Sequence, residues 1–376
     1  MNGYDRMMTA IRRGQPDRVP IWELIVNRPV IEALYPDLFK GVEKSRYERG
    51  SQGAFELQAD FVEKEDLDGI TIFEDSRMKQ WLDDRTCVDE WGVTWRVGDH
   101  NIPYPVGHPI KTEKDLDRWE PPDPDADYRL ECLEAAVKRF KGERAIVFLA
   151  HDAFEFSHYL RGLENLLMDY VLNPAFAHRA ARKVTDYKLR VLQRAAEAGA
   201  DVLCTGDDYA HRQALIMSPD HFRQFVLPYL KECVDLSHSL SMPFLKHTDG
   251  NLWEVMDDIV TTGIDCLDPL EPIAGMDMGR VKKEYGKRIC LAGNVDCGRL
   301  LPSASRQEVV EAVKETLAKG APSGGFILAS SNSIHPAVDP ENYRAMVEAG
   351  REFGAYPLDE EMVREYSQKD YMARYR

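Results

Sequence analysis

The chain has 376 residues, of which 64 are acidic and 48 basic, so its formal net charge is -16. This acidic balance argues against nucleic acid or an anionic membrane surface as the main partner. The hydrophobic fraction of 44% and the charged fraction of 30% are typical of a globular protein. No apolar run approaches the length of a membrane span, and the first residues lack the basic and apolar regions of a signal peptide.

The seven cysteines are scattered along the chain, odd in number and without a CxxC pair. A disulfide framework or a cysteine-based zinc site would show paired, regular spacing. This usage is typical of a reducing compartment, so we expect a cytoplasmic protein.

The first third of the chain contains two predicted strands and an insertion. A short helix at 5–13 precedes a strand at 18–23, and a second strand spans 69–73. The alternation of strand and helix then stops between residues 77 and 127. Within this insertion, residues 88–96 have the pattern of a β-hairpin, and a Pro-rich stretch closes it.

After the insertion, apolar runs alternate with helical patterns to the end of the chain. The first of the predicted strands ends at His151, and the others span 202–205, 243–245, 264–267, 288–291 and 325–329. Predicted helices span 128–140, 163–171, 174–198 and 252–261. A further helix is capped by Ser218 and kinked at Pro228, one begins at the capping box of Ser305 and Glu308 and ends at Gly320, and one runs from Asp339 to Gly354. These elements predict the α/β class.

Eight strands, each followed by helix, predict one (β/α)8 TIM barrel over residues 1–376, with a β-hairpin insertion after the second strand. A flavodoxin-like or Rossmann fold fits less well, because no GxGxxG opens a helix near the start.

Polar residues follow five of the predicted strands: Glu74 and Asp75, His151 and Asp152, Asp207 and Asp208, His247 and Asp249, Asp268 and Glu271. The carboxyl ends of barrel strands meet at one face, where barrel enzymes carry their active sites. An imidazole and carboxylates are ligands that divalent metals accept, which makes His247 and Asp249 a candidate metal pair. A hydrogen-bonded structural pair is the alternative reading of this motif.

Several segments resemble one known family. They are Leu67–Asp75, Ala198–Val202, Met217–Tyr229, Leu291–Asp296 and Asp339–Asn342, and they resemble the uroporphyrinogen decarboxylase superfamily. The resemblance covers nearly the whole chain in order and implies the same barrel. That superfamily also contains zinc-dependent, corrinoid-linked methyltransferases, so the fold alone does not choose the activity.

The sequence at the first strand departs from what a decarboxylase would require. The resemblance implies two early arginines that hold the acidic side chains of a porphyrinogen. Here Pro20-Ile-Trp22 matches, but Glu23 follows, and Arg28 is the single later arginine. The expected site at the carboxyl ends of the strands, which we call the mouth of the barrel, is rich in carboxylates. It should repel a substrate that needs guanidinium partners. Asp75 matches the carboxylate position of the decarboxylases, so decarboxylation of a porphyrinogen or a smaller acid stays an alternative.

The methyltransferase reading fits better. The resemblance implies that His247 and Glu271 match zinc-binding positions, whereas Asp249 replaces a cysteine and residues 330–335 contain none. Nitrogen and oxygen ligands leave a metal a harder Lewis acid, which suits the activation of an ether oxygen. We therefore predict a metal, most simply zinc, on these three residues. The predicted reaction moves a methyl group from an aryl methyl ether, such as vanillate or guaiacol, to the corrinoid of a partner protein. A homodimer is left open.

The remaining site predictions follow from position at the expected mouth. The candidate catalytic residues are Asp207, Asp75 and Glu155, and the candidate substrate-binding residues are His151, Tyr159, Arg161, Asp208, His211 and His335. A neutral ring suits the acidic lining, and a benzoate would need Arg28, Arg161 or Arg212. Helix capping and backbone hydrogen bonds are alternative roles for many of these side chains. A barrel that binds a ligand without turnover is a third reading of the whole chain.

Overall fold

The computed structural model describes residues 1–40, 52–98 and 103–375. The strands in these ranges are β1 (Gly69–Phe73), β2 (Met78–Trp81), β3 (Thr86–Asp89), β4 (Thr94–Val97), β5 (Pro103–Gly107), β6 (Ala145–Ala150), β7 (Val202–Thr205), β8 (Phe244–His247), β9 (Cys266–Asp268), β10 (Cys290–Val295) and β11 (Phe326–Ser330).

The α-helices in the same ranges are α1 (Gly3–Ile11), α2 (Arg28–Leu34), α3 (Gln52–Lys64), α4 (Glu113–Arg118), α5 (Glu131–Phe140), α6 (Ala153–Arg161), α7 (Leu163–Leu172), α8 (Pro174–Ala198), α9 (Pro219–Phe225), α10 (Leu227–Ser239), α11 (Met256–Thr261), α12 (Met278–Tyr285), α13 (Leu300–Ser303), α14 (Arg306–Gly320), α15 (Pro340–Phe353) and α16 (Glu360–Tyr366). Short 3-10 helices span Pro36–Phe39, Asp127–Leu130, Pro272–Ala274 and Tyr371–Tyr375. None of the helices described is both long enough and apolar enough to cross a bilayer.

Seven strands form one parallel sheet in the order β1-β6-β7-β8-β9-β10-β11. Every residue of β6 to β11 is buried, which explains why these strands are continuous apolar runs without alternation. Helices connect the successive strands, as parallel pairing requires. This α/β architecture confirms the predicted class, and the curled parallel sheet is that of a TIM-like barrel.

The predicted first strand is irregular but lies where an eighth strand would. Ile21 forms a parallel bridge with Leu328 of β11, and its carbonyl accepts a hydrogen bond from the N–H of Asp68, next to β1. The segment therefore hydrogen-bonds to both edges of the sheet. The N–H of Ile21 donates to the Asp68 carboxylate at 2.8 Å instead of to a strand, and Pro20 has no N–H to donate.

The insertion forms a four-stranded antiparallel sheet in the order β2-β3-β4-β5. The predicted hairpin corresponds to β3 and β4, with Val88 opposite Thr94. The flanking strands β2 and β5 were not predicted, because β5 contains two prolines and β2 lies on the surface without an apolar face.

Local capping signals place several helices where the sequence predicts them. Helix α8 has the predicted bounds, and the capping box of Ser305 and Glu308 begins α14. The kink predicted at Pro228 is a break at Val226, which separates α9 from α10.

Candidate active site

The candidate site lies at the carboxyl ends of the parallel strands. His247 is the last residue of β8 and Asp268 the last of β9, while Asp208, Asp249 and Asn332 follow β7, β8 and β11. Two glycines allow the loops to approach closely. At Gly250, with φ of +87°, a Cβ atom would lie 2.6 Å from the backbone of Ala210. At Gly293, with φ of +96°, it would lie 2.0 Å from the Pro269 carbonyl oxygen.

His247 is held by carboxylates on both sides of its ring. Its Nδ1 lies 2.6 Å from Asp268 Oδ2, and its Nε2 lies 3.5 Å from Asp249 Oδ1. Burial lowers the pKa of His247, but the charge of Asp249 and the hydrogen bond to Asp268 outweigh it and raise that pKa to about 9. A carboxylate behind one ring nitrogen is the usual arrangement for a histidine whose other nitrogen binds a metal.

Asp208 and Asp249 complete a group around His247. One ligand atom from each of the three residues lies within 4.8 Å of the others. Burial and the charge of Asp208 raise the pKa of Asp249 well above its usual range. Asp249 Oδ1 is buried and has no hydrogen-bond partner among the described residues. A divalent cation would neutralise this concentration of carboxylates, so the residues fit a metal.

Glu271 lies beside this group and is linked to it by Asn332. Asn332 Nδ2 donates to Asp249 Oδ2 at 2.5 Å and to Glu271 Oε1 at 3.3 Å. The second oxygen of Glu271 accepts from the Gly250 N–H at 2.9 Å. The structure thus brings together the predicted metal residues His247 and Asp249, adds Asp208, and places Glu271 as a neighbour of the same group.

A second group contains His151, Glu155 and Asp207, again with ligand atoms within 4.8 Å of one another. Asp207 is fully buried, and its two oxygens accept from the N–H groups of Asp152 at 2.8 Å and Glu155 at 2.7 Å. Its carboxylate therefore anchors the start of α6. Tyr159 donates its hydroxyl hydrogen to Glu155.

A buried network ties β6, β7 and β8 together below these groups. Lys246 Nζ donates to Asp152 Oδ2 and to the Asp207 carbonyl oxygen, both at 3.0 Å, and Tyr209 also donates to Asp152. Lys246 is fully buried, and these partners satisfy its ammonium group where no water reaches it. This lysine lies inside an apolar run and gave no signal of its role in the sequence.

An aromatic pocket opens between the carboxyl ends of β1 and β6 and the antiparallel sheet. Its apolar lining includes Phe73, Trp91, Trp95, Pro103, Phe156 and Tyr159. Its polar lining includes Glu74, Asp89, His151 and Lys188. His151 belongs both to this pocket and to the group with Glu155 and Asp207, so the pocket adjoins the candidate site.

Six of the predicted site residues lie outside both groups, and of these Glu271 and Tyr159 adjoin them whereas the other four do not. Asp75 accepts from the Cys132 N–H at 2.8 Å, at the start of α5, and Glu74 rather than Asp75 lines the pocket. Arg161 pairs with Asp169 at 2.7 Å. His211 is exposed on a loop, and both ring nitrogens of His335 bond to backbone atoms. Their predicted site roles stay predictions without geometric support.

The structure also assigns places to residues that sequence reasoning missed. Asp268 was visible only as an acid near a strand end, and Asn332 gave no signal. Lys188 and Glu74 form an ion pair of 2.7 Å in the pocket lining. The Lys188–Glu74 contact joins residues 114 positions apart and the Asn332–Asp249 contact joins residues 83 apart, so one sequence cannot show them.

Comparison with known proteins decides the family. The model of the uroporphyrinogen decarboxylase (URO-D) family matches residues 2–353. The chain belongs to the URO-D family. A uroporphyrinogen decarboxylase from Myxococcus xanthus is 26% identical over 373 residues, which cover 93% of this chain and 97% of that protein. A second one, from Alkalilimnicola ehrlichii, is 23% identical over 92% of this chain and 93% of that protein.

Among solved structures, a methyltransferase from Methanosarcina mazei has the same fold as this URO-D family member. Its TM-score is 0.73 at 21% identity, and the match covers 94% of this chain and 99% of that one. At this identity the likeness establishes the shared fold, while activity has to be argued from the site.

Proposed function

We propose that the chain is a methyltransferase that moves a methyl group from an O-methyl donor to the cobalt of a separate corrinoid protein. The proposed donor is an aryl methyl ether such as guaiacol or vanillate. The observation that carries the proposal is the group of Asp208, His247 and Asp249 at the barrel mouth, with Asp268 behind the imidazole. The fold shared with a methyltransferase supports the same choice.

The residues at the mouth fit a divalent metal, for which zinc is the simplest candidate. His247 and Asp249 would hold it, with Asp208 or Glu271 as a further ligand. When bound, such an ion supplies Lewis acidity toward an ether oxygen. Asp268 fixes the orientation of the His247 ring, and Asn332 keeps the carboxylates of Asp249 and Glu271 in place.

The proposed reaction exchanges one bond for another. The Co(I) of the corrinoid attacks the methyl carbon, a cobalt–carbon bond forms as the carbon–oxygen bond breaks, and the phenolate leaves with the bonding electrons. We assign His151 and Glu155, whose Nε2 and Oε2 atoms lie 3.8 Å apart, as the pair that passes a proton from solvent to the phenolate oxygen. Asp207 has a positioning role here, since both its oxygens accept backbone N–H groups.

A second candidate function is decarboxylation of a porphyrinogen, favoured by the names of the relatives that match almost the whole chain. The charge of the site opposes it. The carboxylates of Asp208, Asp249 and Glu271 crowd the mouth. A substrate that carries several carboxylates would be repelled there, and each missing charge-assisted hydrogen bond costs about 1.5–3 kcal/mol.

The metal assignment predicts that His247→Ala loses its metal. Because the ring is buried between Asp249 and Asp268, circular dichroism has to verify that the variant keeps its fold. The zinc content of the purified protein, measured by mass spectrometry, should be about one per chain in the unaltered protein and near zero in the variant. Methyl transfer to cobalt should be lost in parallel.

The matched control is His238→Ala, an exposed histidine on α10 that pairs with Asp265 before β9, at the opposite end of the sheet. It should retain full metal content. Equal zinc content in the unaltered protein and in His247→Ala would exclude this metal site.

A further inference from the structure

The carboxylate oxygens around His247 differ in their partners, and this difference shows which of them can receive a metal. Asp249 Oδ1 is buried and accepts no hydrogen bond from the described residues. It lies 3.5 Å from His247 Nε2. That separation is long for a hydrogen bond, but it is close to the roughly 3.4 Å expected between two ligand atoms of a tetrahedral ion with bonds of about 2.1 Å. These two atoms are therefore spaced for a shared cation.

Asp208 offers a third ligand atom to the same cation. One ligand atom each from Asp208, His247 and Asp249 lie within 4.8 Å of one another. Asp208 Oδ1 accepts the Asp249 N–H at 3.0 Å, so the loops after β7 and β8 are joined at this point. The chain just before Asp208 is also held, because Lys246 Nζ donates to the Asp207 carbonyl oxygen at 3.0 Å. The position of Asp208 beside His247 is thus fixed by hydrogen bonds on both sides.

Glu271 lies where the sequence predicted a ligand, but both of its oxygens have other partners. Oε2 accepts the Gly250 N–H at 2.9 Å, and Oε1 accepts from Asn332 Nδ2 at 3.3 Å. In the described ranges, no group of three ligand atoms within 4.8 Å of one another includes Glu271. Binding the metal would therefore require the Glu271 carboxylate to move toward His247 and away from these donors.

Asn332 connects the two acids and fixes the orientation of Asp249. Its Nδ2 donates to Asp249 Oδ2 at 2.5 Å as well as to Glu271. Its Oδ1 accepts the Ser333 N–H at 2.6 Å, which holds the amide in this orientation. Asp249 is therefore held through Oδ2, and its Oδ1 is left for a cation shared with His247.

We propose that Asp208 is the third protein ligand of the metal, and that Glu271 and Asn332 are positioning residues that hold Asp249 without binding the ion. The inference rests on the proposed function for the presence of a metal. It replaces the prediction that Glu271 is a ligand.

The choice of Asp208 also connects the metal to the pair assigned to proton delivery. Asp208 directly follows Asp207, whose Oδ2 accepts the Glu155 N–H at 2.7 Å. A ligand in the loop after β7 is thereby linked to the start of α6, which carries Glu155. Glu271 follows β9 and its printed hydrogen bonds lead to Gly250 and Asn332 instead.

The test compares two acid-to-amide variants by zinc binding, without corrinoid or methyl donor. Asp208→Asn keeps an oxygen for the Asp249 N–H but removes the anionic ligand, and Glu271→Gln keeps an oxygen for the Gly250 N–H. Competition with a chromophoric chelator measures the zinc affinity. It should fall more than about a hundredfold in Asp208→Asn and only about tenfold in Glu271→Gln, the smaller loss being typical of residues that orient a ligand.

Cobalt(II) in place of zinc reports the ligands directly, because its visible absorption depends on the atoms bound to it and on their geometry. The spectrum of the cobalt-saturated protein should change in Asp208→Asn and keep its shape in Glu271→Gln. Asn332→Ala should also keep the shape of the spectrum while binding cobalt about tenfold more weakly, since it loses only the group that orients Asp249. Circular dichroism verifies the fold of each variant.

The matched control is Asp277→Asn, in the same loop after β9 as Glu271, where the acid caps α12 by accepting the Arg280 N–H at 2.8 Å. It should keep both the zinc affinity and the cobalt spectrum of the unaltered protein.

A changed cobalt spectrum in Glu271→Gln would overturn the assignment, and so would an unchanged spectrum in Asp208→Asn or an unaltered protein that binds no zinc. If Asp208→Asn does not fold, the Glu271→Gln spectrum decides alone. Failure of this inference is separable from failure of the methyltransferase proposal. A metal bound by Glu271 would refute the ligand assignment and leave methyl transfer possible, whereas the predicted ligands without formation of methyl-Co(III) would refute only the reaction.

Discussion

Glu23 is a buried acid whose state depends on pH. The Ser330 N–H and hydroxyl both donate to its carboxyl group, at 3.1 and 2.6 Å. Burial raises its pKa to about 8 from an ordinary 4.5. Between these two values the folded protein keeps a proton on Glu23 that the unfolded chain has lost. The free energy of unfolding therefore decreases as pH rises through this window.

Glu23→Gln should remove this part of the pH dependence, because an amide does not titrate. The unaltered protein should lose a few kcal/mol, on the order of 1.4 for each unit of pKa difference, between about pH 5 and about pH 8. Urea denaturation at both ends of that range measures the change. Glu32→Gln, a half-exposed glutamate on α2, is the control and should keep the slope of the unaltered protein. An equally steep slope in Glu23→Gln would show that another group is responsible.

At the scale of elements, a buried ion pair between Arg129 and Glu90 connects the inserted antiparallel sheet to the barrel. Arg129, fully buried before α5, donates to both oxygens of Glu90, at 2.5 and 2.7 Å. Glu90 follows β3 directly, so the pair joins the antiparallel sheet to the barrel next to the aromatic pocket. Tyr128 donates to the same carboxylate at 2.5 Å. Because both groups are buried away from water, each charge is stabilised mainly by the other.

Arg129→Met should lower the free energy of unfolding by about 3–5 kcal/mol, because it leaves the Glu90 carboxylate buried and unpaired. The double variant Arg129→Met with Glu90→Gln should recover part of that loss. Arg139→Met on α5 is the control, since its partners Glu56, Asp60 and Glu63 are far more exposed. It should cost about 1 kcal/mol or less. Equal losses of unfolding free energy in Arg129→Met and Arg139→Met would contradict a stabilising role for the buried Arg129–Glu90 pair.

The regular elements could be predicted from the sequence because their signals are local. Continuous apolar runs such as Ala145–Ala150 indicate strands buried on both faces, and Ser305 with Glu308 indicates a helix start. The first strand was harder to predict, because its position in the sheet depends on a hydrogen bond from Ile21 to Asp68, which lies 47 positions away. Strands β2 and β5 lie on the surface and have no apolar period to detect.

The candidate site could be predicted only in part, for the same reason. His247 and Asp249 follow one strand, so their proximity is a local property. The position of Asp268 behind His247 depends on the register between β8 and β9, in which these two residues are partners. Asn332 reaches Asp249 only because β11 and its loop return to the mouth. The predicted catalytic role of Asp207 came from its position after a strand, and the sequence could not show its hydrogen bonds to backbone N–H groups more than fifty residues away.

At the scale of the whole molecule, the distribution of charge limits which substrates can enter the site. The net charge of -16 and the carboxylates at the mouth disfavour polyanionic substrates. The acidic mouth therefore disfavours a porphyrinogen, although the relatives that match most of the chain are named decarboxylases.

The most direct test of this account is an absorbance measurement of cob(I)alamin, or of a reduced corrinoid protein, incubated with the zinc-loaded enzyme and guaiacol. The spectrum should change to that of methyl-Co(III), with one catechol formed for each methyl group transferred, and His247→Ala should give neither product. Conversion of uroporphyrinogen to coproporphyrinogen by the same preparation, with no methyl-Co(III) from any methoxylated aromatic, would contradict it.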